Sequence, residues 1–363
     1  MKLTKSDSGE VMRGPAPNST RSSYWDVWKG LAIVAVVVIH SCGELSSSPP
    51  NSLTGLFGIG LRQIVNFAVP VFLAMAGFFA GRGPSGSPVD FYRKRLVRIL
   101  APYFIWTTIY LAQDAITESL NIKEAVKAYL FGTGIGIGYF VIVLTQYTLL
   151  TPLITRIKSG RKHFLIMMTI TAIGLFFTYY FPALHPESPI SKFPAYALPF
   201  FVWYPFYHLG IYAAQRQAAG SSSFNGPRKF ITLTFIFAIA GFIEGYFWAR
   251  HGNYSFGTSQ LKLTNTLYSV TFFLLILSLS RSRTVFNHDS FLALAGRNSY
   301  AVYLVHMILL TPIQRFLGSY PAIIGLQPVY IFLSTSMTLF ACIALVLLLR
   351  RLLPKRLAGM ILG

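Results

Sequence analysis

The stretch that decides the fold is YWDVWKGLAIVAVVVIH, which runs from Tyr24 to His40. It opens with aromatic residues and a lysine, as membrane-surface segments do, and continues as an apolar run. About 20 such residues cross the roughly 30 Å of a bilayer as one helix. His40 lies near the far end of this run, where an ionisable side chain is costly and by default marks a functional site or pathway. The alternative is a histidine that only hydrogen-bonds a neighbouring helix.

The rest of the chain is equally apolar. Of its 363 residues, 53% are hydrophobic and only 12% are charged, which exceeds the apolar content that one soluble core needs. Long apolar runs predict an all-α polytopic membrane protein with about ten transmembrane helices. The predicted spans are 25–44, 56–80, 99–119, 137–156, 163–181, 197–214, 230–249, 264–280, 298–316 and 328–349. We expect residues 1–22 to form a disordered cytoplasmic tail, 23–352 the membrane domain and 353–363 a cytoplasmic C-terminal tail.

Basic residues are unevenly distributed. The chain has 31 lysines and arginines against 11 acidic residues. Most lie between apolar runs, in clusters within 2–29, 82–98, 156–162, 216–229, 281–297 and 350–356. With an even number of spans, this pattern predicts that both termini are cytoplasmic. It argues against a nucleic-acid partner, which would need a solvated basic face. The two cysteines, Cys42 and Cys342, imply neither a disulfide framework nor a metal site.

Lys29 and His40 share one face of the first span. Eleven residues separate them, which at about 100° per residue is three turns plus roughly 20°, with a rise of about 16 Å. Lys29, a cation at the membrane interface, therefore lies on the same helix face as His40, which is deeper in the membrane. Asp26 precedes Lys29 by three residues and could orient it, and Glu44, one turn beyond His40, could orient the imidazole. A cap or interface charge and a solvated loop carboxylate are the respective alternatives.

The same stretch resembles the first span of a family of integral-membrane acyltransferases, the acyltransferase-3 group, which includes bacterial polysaccharide O-acetylases. That family typically has an arginine, ten further residues and then a histidine. Asp26, Gly30 and His40 match the pattern, and Lys29 replaces the arginine. Lysine keeps the positive charge but lacks the bidentate fork that arginine offers to a phosphate.

Further segments resemble the family in the same order along the chain. They are VPVFLAMAGFF (Val69 to Phe79, with Ala76 for the usual serine), FYRKRLVRILAPY (Phe91 to Tyr103), QYTLLTPLI (Gln146 to Ile154) and GRNSYAVYLVH (Gly296 to His306). Two places depart from it. Leu144-Thr145 stands where many members have paired glutamates, and IGYF, Ile137 to Phe140, replaces an H-x-W-F sequence. The chain resembles the sugar O-acetylase branch more than the branch with a fused extracytoplasmic hydrolase-like domain.

The resemblance implies a reaction. An acetyl (acyl) group would pass from cytoplasmic acetyl-CoA to a sugar hydroxyl of a surface polysaccharide or exopolysaccharide, at a lipid-linked or polymeric saccharide stage. The enzyme would lie in a bacterial inner membrane. Imidazole can act as general base or as the nucleophile that carries the acyl group, and the choice stays open for His40. His306 matches a family motif and ranks second as a catalytic residue; a structural histidine is its alternative. No metal is required.

The resemblance also implies binding residues. Lys29, Arg93, Arg95 and Arg98 lie at the cytoplasmic level and are candidates to hold the phosphates of acetyl-CoA. A plain topology cluster explains the three arginines equally well. Gln146 is a candidate to line the substrate pathway. The rival class is a transporter of a lipid-linked saccharide or a small anion, in which His40 and Glu244 would relay charge.

Overall fold

The computed structural model describes residues 18–43, 45, 48–81, 87–117, 121–221, 224, 226–280 and 286–363, without the side chains of 18–22, 88 and 117. Within these residues the chain is helical and has no strand, which confirms the all-α class. The helices are α1 (Asn18–Ser41), α2 (Leu53–Val65), α3 (Ala68–Ala80), α4 (Pro88–Thr117), α5 (Ile122–Phe131), α6 (Tyr139–Thr155), α7 (Gly160–Leu184), α8 (Tyr204–Ala218), α9 (Pro227–Arg250), α10 (Tyr254–Gly257), α11 (Leu263–Leu279), α12 (Phe291–Arg297), α13 (Ser299–Gly318), α14 (Pro321–Ile324), α15 (Gln327–Leu352) and α16 (Lys355–Leu362). Glu44 and residues 1–17 lie outside the described residues.

Several helices have the length and composition of membrane spans. Among the described residues, six segments qualify: Ser23–Ser41, Leu53–Ala80, Gly160–Leu184, Pro227–Arg250, Ser299–Gly318 and Gln327–Leu352. Two shorter apolar helices, Tyr139–Thr155 and Leu263–Leu279, accompany them. Long apolar helices satisfy every backbone group internally, as lipid demands. The protein is therefore a polytopic membrane protein, whereas the count of ten spans and the side of the termini stay predictions.

Two predicted spans differ from the observed helices. The run predicted at 56–80 is interrupted at Asn66 and Phe67, where α2 ends and α3 begins. The run predicted to start at 197 becomes helical only at Tyr204, after the short 3-10 turns Ala195–Ala197 and Phe200–Val202. Prolines at 194 and 199 explain the delay, because each removes a backbone donor and restricts the residue before it, whereas Pro205 lies in the first turn of α8, where proline is tolerated.

Glycines allow α1 and α12 to touch backbone to backbone. A Cβ on Gly30 would overlap the carbonyl of Leu292, and one on Gly296 would overlap the carbonyl of Asp26. Only glycine therefore fits at these two positions, which belong to the first and the last of the resembling segments. The contact holds the first turns of α1 beside the start of α13, and this arrangement positions the site.

The outermost elements complete the architecture. Helices α7 and α9 expose most of their apolar surface, as lipid-facing helices do. At the other extreme, the predicted C-terminal tail contains the packed helix α16. Trp106 Nε1 in α4 donates to the Ile361 carbonyl at 2.9 Å, and Leu362 is buried. Helix α16 thus closes one end of the interior between α4 and α15.

Candidate active site

The two candidate catalytic histidines lie side by side. His40 is one residue from the end of α1, and His306 lies in the middle of α13. Their ring centroids are 5.4 Å apart, with planes tilted by 47°. The sequence singled them out separately, 266 positions apart, and the packing of α1 against α13 brings them together.

The orientation of His306 is set by its own helix. Its imidazole is fully buried, and Nδ1 lies 2.8 Å from the Tyr303 carbonyl and 3.2 Å from the Val302 carbonyl. Because a carbonyl oxygen only accepts hydrogen bonds, Nδ1 carries the proton in the neutral ring. Nε2 is then the basic nitrogen, and it has no hydrogen-bond partner among the described residues. A buried lone pair without a partner is costly, and such a nitrogen suits proton abstraction or acyl transfer.

One cavity, of about 280 Å³, opens at the end of the helices where α13 begins. We call it the basic cavity, because its lining includes Lys29, Arg98, Arg297 and Arg350. The three arginines are exposed, whereas the Lys29 side chain is about one-third exposed. Lys29 Nζ forms an ion pair with Asp26 Oδ1 at 2.6 Å, which fixes the ammonium in direction. The cavity suits a ligand with several negative charges.

A second cavity, of about 400 Å³, contains His40. We call it the aromatic cavity, because its lining includes Tyr139, Phe193, Tyr196 and Trp203. The rings of Tyr139 and Trp203 are stacked at 6.1 Å, and the Tyr139 and Phe193 rings meet edge to face at 5.2 Å. Burial raises the pKa of the Tyr196 phenol, and nearby Arg62 opposes this less strongly, so the hydroxyl stays a neutral donor. Aromatic faces with a few polar groups are suited to a sugar ring.

A row of rings separates the two cavities. Tyr139 lines the aromatic cavity, and the next residue, Phe140, lines the basic cavity. Phe140 meets the ring of Tyr303 at 5.3 Å, and Tyr303 in turn lies 6.1 Å from His306. Tyr303 also donates a hydrogen bond to the Ile137 carbonyl, which fixes the ring. The histidine pair therefore occupies the partition, within one side chain of each cavity.

The other predicted binding residues are placed differently. Arg93 is largely exposed and pairs with Asp90 at 3.5 Å, and the Arg95 guanidinium lies 4.8 Å above the ring of Phe91. Neither lines the basic cavity, in contrast to Arg98. The structure thus brings Lys29 and Arg98 together and leaves Arg93 and Arg95 outside. Glu44 falls outside the described residues.

Gln146 contacts the loop that forms the aromatic wall of the second cavity. Its Nε2 donates to the Leu198 carbonyl at 2.9 Å, and its Oε1 accepts from the Phe200 backbone N–H at 3.0 Å. Both ends of the amide are used by the loop that precedes Trp203. Gln146 does not line the cavity, and its two hydrogen bonds hold the loop that carries the aromatic wall.

Sequence reasoning missed three cationic members of the two cavities. Arg297 and Arg350 counted only as topology charges, and their convergence on Lys29 depends on tertiary packing. Arg62 lies outside the basic clusters and within the apolar run predicted at 56–80. The principle applied to His40, that an ionisable residue inside a membrane span marks a functional site, also applies to Arg62 and could have identified it. No group of His, Cys, Asp and Glu able to hold a metal occurs among the described residues.

Comparison with known proteins identifies the family of this chain. Two curated relatives, both named "Probable poly-beta-1,6-N-acetyl-D-glucosamine export protein", come from Staphylococcus aureus strains Mu50 / ATCC 700699 and MSSA476. Each is 20% identical to this chain over 78% of its length and 80% of the relative. No solved structure matches the chain. The family described as "Acyltransferase domain" matches residues 22–347, and the chain belongs to this acyltransferase-3 family.

Proposed function

We propose that this protein is a membrane O-acyltransferase that moves an acetyl group from acetyl-CoA to a saccharide hydroxyl on the opposite side of the membrane. The observation that carries the proposal is the histidine pair between two cavities of different character. A transferase that takes its donor and its acceptor from opposite sides needs one reaction centre reachable from both. Membership of the acyltransferase-3 family supports the reaction class.

The basic cavity is the proposed donor site. Coenzyme A carries several phosphate charges, and four basic side chains line this cavity. The apolar side chains of the same lining, Phe72, Met75 and Phe140, would surround the thioester arm and exclude water. The acyl carbon would then lie near Tyr303, one ring away from His306.

The aromatic cavity is the proposed acceptor site. A sugar ring stacked on Tyr139 or Trp203 would bring a hydroxyl toward His40. In the general-base route, an imidazole nitrogen takes the hydroxyl proton, the oxygen attacks the thioester carbonyl, and the coenzyme A thiolate leaves and recovers the proton. In the covalent route, an imidazole nitrogen first displaces the thiolate and then yields the acyl group to the hydroxyl, whose proton passes to the thiolate. Both routes use the unprotonated Nε2 of His306 or a nitrogen of His40.

The proposed orientation places the basic cavity and both termini on the cytoplasmic side of a bacterial inner membrane. The concentration of arginine and lysine at that level supports it. A reporter fused after Gly363 should read as cytoplasmic, and a tag near Pro189 as external. A cytoplasmic signal at Pro189 would reverse the assignment of the aromatic cavity to the outside.

The names of the relatives suggest a second candidate, export of a saccharide. Purified protein in lipid nanodiscs should release coenzyme A thiol from acetyl-CoA when a saccharide acceptor is present, with the acetyl label recovered on the saccharide. Proteoliposomes loaded with labelled saccharide provide the opposing test. Saccharide flux without thioester consumption would establish a transporter and reject the acyltransferase.

A further inference from the structure

The aromatic cavity contains a cation that the proposed chemistry does not use. Arg62 projects from α2, within the apolar segment Leu53–Ala80. Its Nη1 donates to the Ile39 carbonyl at 3.0 Å and its Nη2 to the Thr258 carbonyl at 3.1 Å. These two bonds fix the guanidinium beside His40, at the wall where α1 ends.

The charge of Arg62 is not balanced by the described part of the protein. No carboxylate there lies within ion-pairing distance of the guanidinium, since the ion pairs found join Lys29 to Asp26, Arg93 to Asp90 and His288 to Asp289. Arg62 Nε is buried and has no hydrogen-bond partner among the described residues. A buried cation in the same region, Lys262, donates to the Gly241 carbonyl at 2.9 Å, and the Glu244 carboxylate lies near enough to offset its charge. An uncompensated charge in such surroundings is costly unless a ligand supplies the counter-charge.

The wall around Arg62 is polar, unlike the ring-lined wall opposite. Ser255, Thr258, Ser259 and Gln260 line the cavity from the segment that joins α9 to α11. Gln260 is buried, and its Oε1 has no described hydrogen-bond partner. Hydroxyl and amide groups beside a guanidinium form a suitable site for an oxyanion that also bears neighbouring hydroxyls. The cavity thus has one face for a sugar ring and another for a negative group.

We propose that Arg62 binds an anionic group, a phosphate or a carboxylate, carried by the acceptor saccharide. This inference rests on the proposed function only in taking the aromatic cavity as the acceptor site. The anion would approach Arg62 from the cavity that it lines and accept the guanidinium N–H groups that the Ile39 and Thr258 carbonyls leave over. The acceptor would then be anchored at two points, with its reactive hydroxyl beside His40.

A purely structural Arg62 would act through its two carbonyl bonds alone, by holding the end of α1. The two roles differ in their dependence on ligand charge. A structural arginine affects neutral and anionic ligands equally, because it shapes the whole cavity. An anion-binding arginine affects only the anionic ligands.

The test measures binding by calorimetry with the full chain in nanodiscs, so that no turnover is needed. The ligands are a neutral N-acetylglucosamine oligosaccharide, the same chain with one uronic acid, and the same chain on a short prenyl pyrophosphate. The wild-type protein should bind at least one anionic ligand about ten- to a hundredfold more tightly than the neutral one. The uronate and pyrophosphate arms show which group supplies the charge.

Variants then assign the effect to Arg62. Arg62→Gln should abolish the preference with neutral binding unchanged, and Arg62→Lys should keep part of it. Arg250→Gln, which removes an exposed charge at the end of α9, should bind all three ligands like wild type. The prenyl chain of the third ligand adds apolar binding free energy of its own. For that ligand, the affinity of each variant is therefore compared with the affinity of the wild-type protein.

Two results would overturn the inference. One is equal wild-type affinity for neutral and anionic ligands, which decides the matter even if Arg62→Gln does not fold. The other is a parallel loss of neutral and anionic binding in Arg62→Gln. Selective anion binding without any acetyl transfer from acetyl-CoA would instead reject the proposed function and leave the Arg62 site standing.

Discussion

The basic cavity and the aromatic cavity lie along the same side of α1 and differ in how they hold positive charge. In the basic cavity, Lys29 is paired with Asp26, and three exposed arginines share the rim. In the aromatic cavity, a single half-buried arginine has no described acidic partner. A rim of exposed cations suits a polyanion that arrives from water and leaves again, as the proposed donor acetyl-CoA and its product coenzyme A would. One cation held in place among aromatic rings suits a ligand whose charged group must occupy one defined position.

The largest expected effect comes from removing a histidine of the pair that lies between the two cavities. His40→Ala should lower acetyl transfer by about 100-fold or more, because a positioned base or nucleophile is lost. Transfer of labelled acetyl from acetyl-CoA to saccharide measures this in purified protein. His306→Ala should also lower transfer, though by less.

His251→Ala is the matched control for this loss, because His251 is exposed at the end of α9. It should transfer acetyl at the wild-type rate. Normal transfer in His40→Ala, at a normal level in the membrane, would end the catalytic assignment and leave the two cavities without a common centre.

The next effect belongs to the basic cavity alone. Lys29→Ala should weaken acetyl-CoA binding by about 1.5–3 kcal/mol if one charge-assisted hydrogen bond is lost, or roughly ten- to a hundredfold. Lys29→Arg should keep most of the affinity, since the cation is retained. Calorimetry with acetyl-CoA is the measurement, and Lys162→Ala, an exposed lysine near the start of α7, is the control. Unchanged affinity in Lys29→Ala would remove the donor role from this residue.

The sequence predicts the helices that depend on local pattern and misses what depends on packing. Helix α9, predicted at 230–249, forms from Pro227 to Arg250, because length and hydropathy suffice to define an isolated lipid-facing helix. Helix α8 begins seven residues later than predicted, because prolines interrupt an equally apolar run. Periodicity along α1 aligns Lys29 with His40, since both belong to one helix. Periodicity cannot show that His306 lies beside His40, because that contact depends on how α13 packs.

Only one of two arginines with similar sequence surroundings lines the basic cavity. Arg98 lines the cavity, whereas Arg93 pairs with Asp90 on the exposed side of the same helix. Arg98→Gln should therefore weaken acetyl-CoA binding by about tenfold, the smaller effect expected of a more exposed charge. Arg93→Gln should bind acetyl-CoA like wild type and serves as the control. Equal losses in both variants would mean that the cluster acts by net charge and that the cavity does not select among its arginines.

The smallest effect concerns the wall of the aromatic cavity. Gln146 joins the Leu198 carbonyl and the Phe200 N–H, so Gln146→Leu removes two hydrogen bonds that hold the loop before Trp203. Neutral bonds of this kind contribute about 0.5–1.5 kcal/mol each. Part of that cost falls on folding, and we expect the KM for the saccharide to rise only a few-fold, with the KM for acetyl-CoA unchanged.

Steady-state kinetics with each substrate varied in turn makes this measurement. Gln327→Leu removes a comparable amide at the start of α15, away from both cavities, and should change neither constant. The split between the two constants is the decisive result, because both hydrogen bonds of Gln146 join the loop before Trp203. A rise in the KM for acetyl-CoA that matched the rise for saccharide would show that the partition of rings transmits changes between the cavities. The two cavities would then be coupled parts of one binding site, and their different linings would not determine separate binding of donor and acceptor.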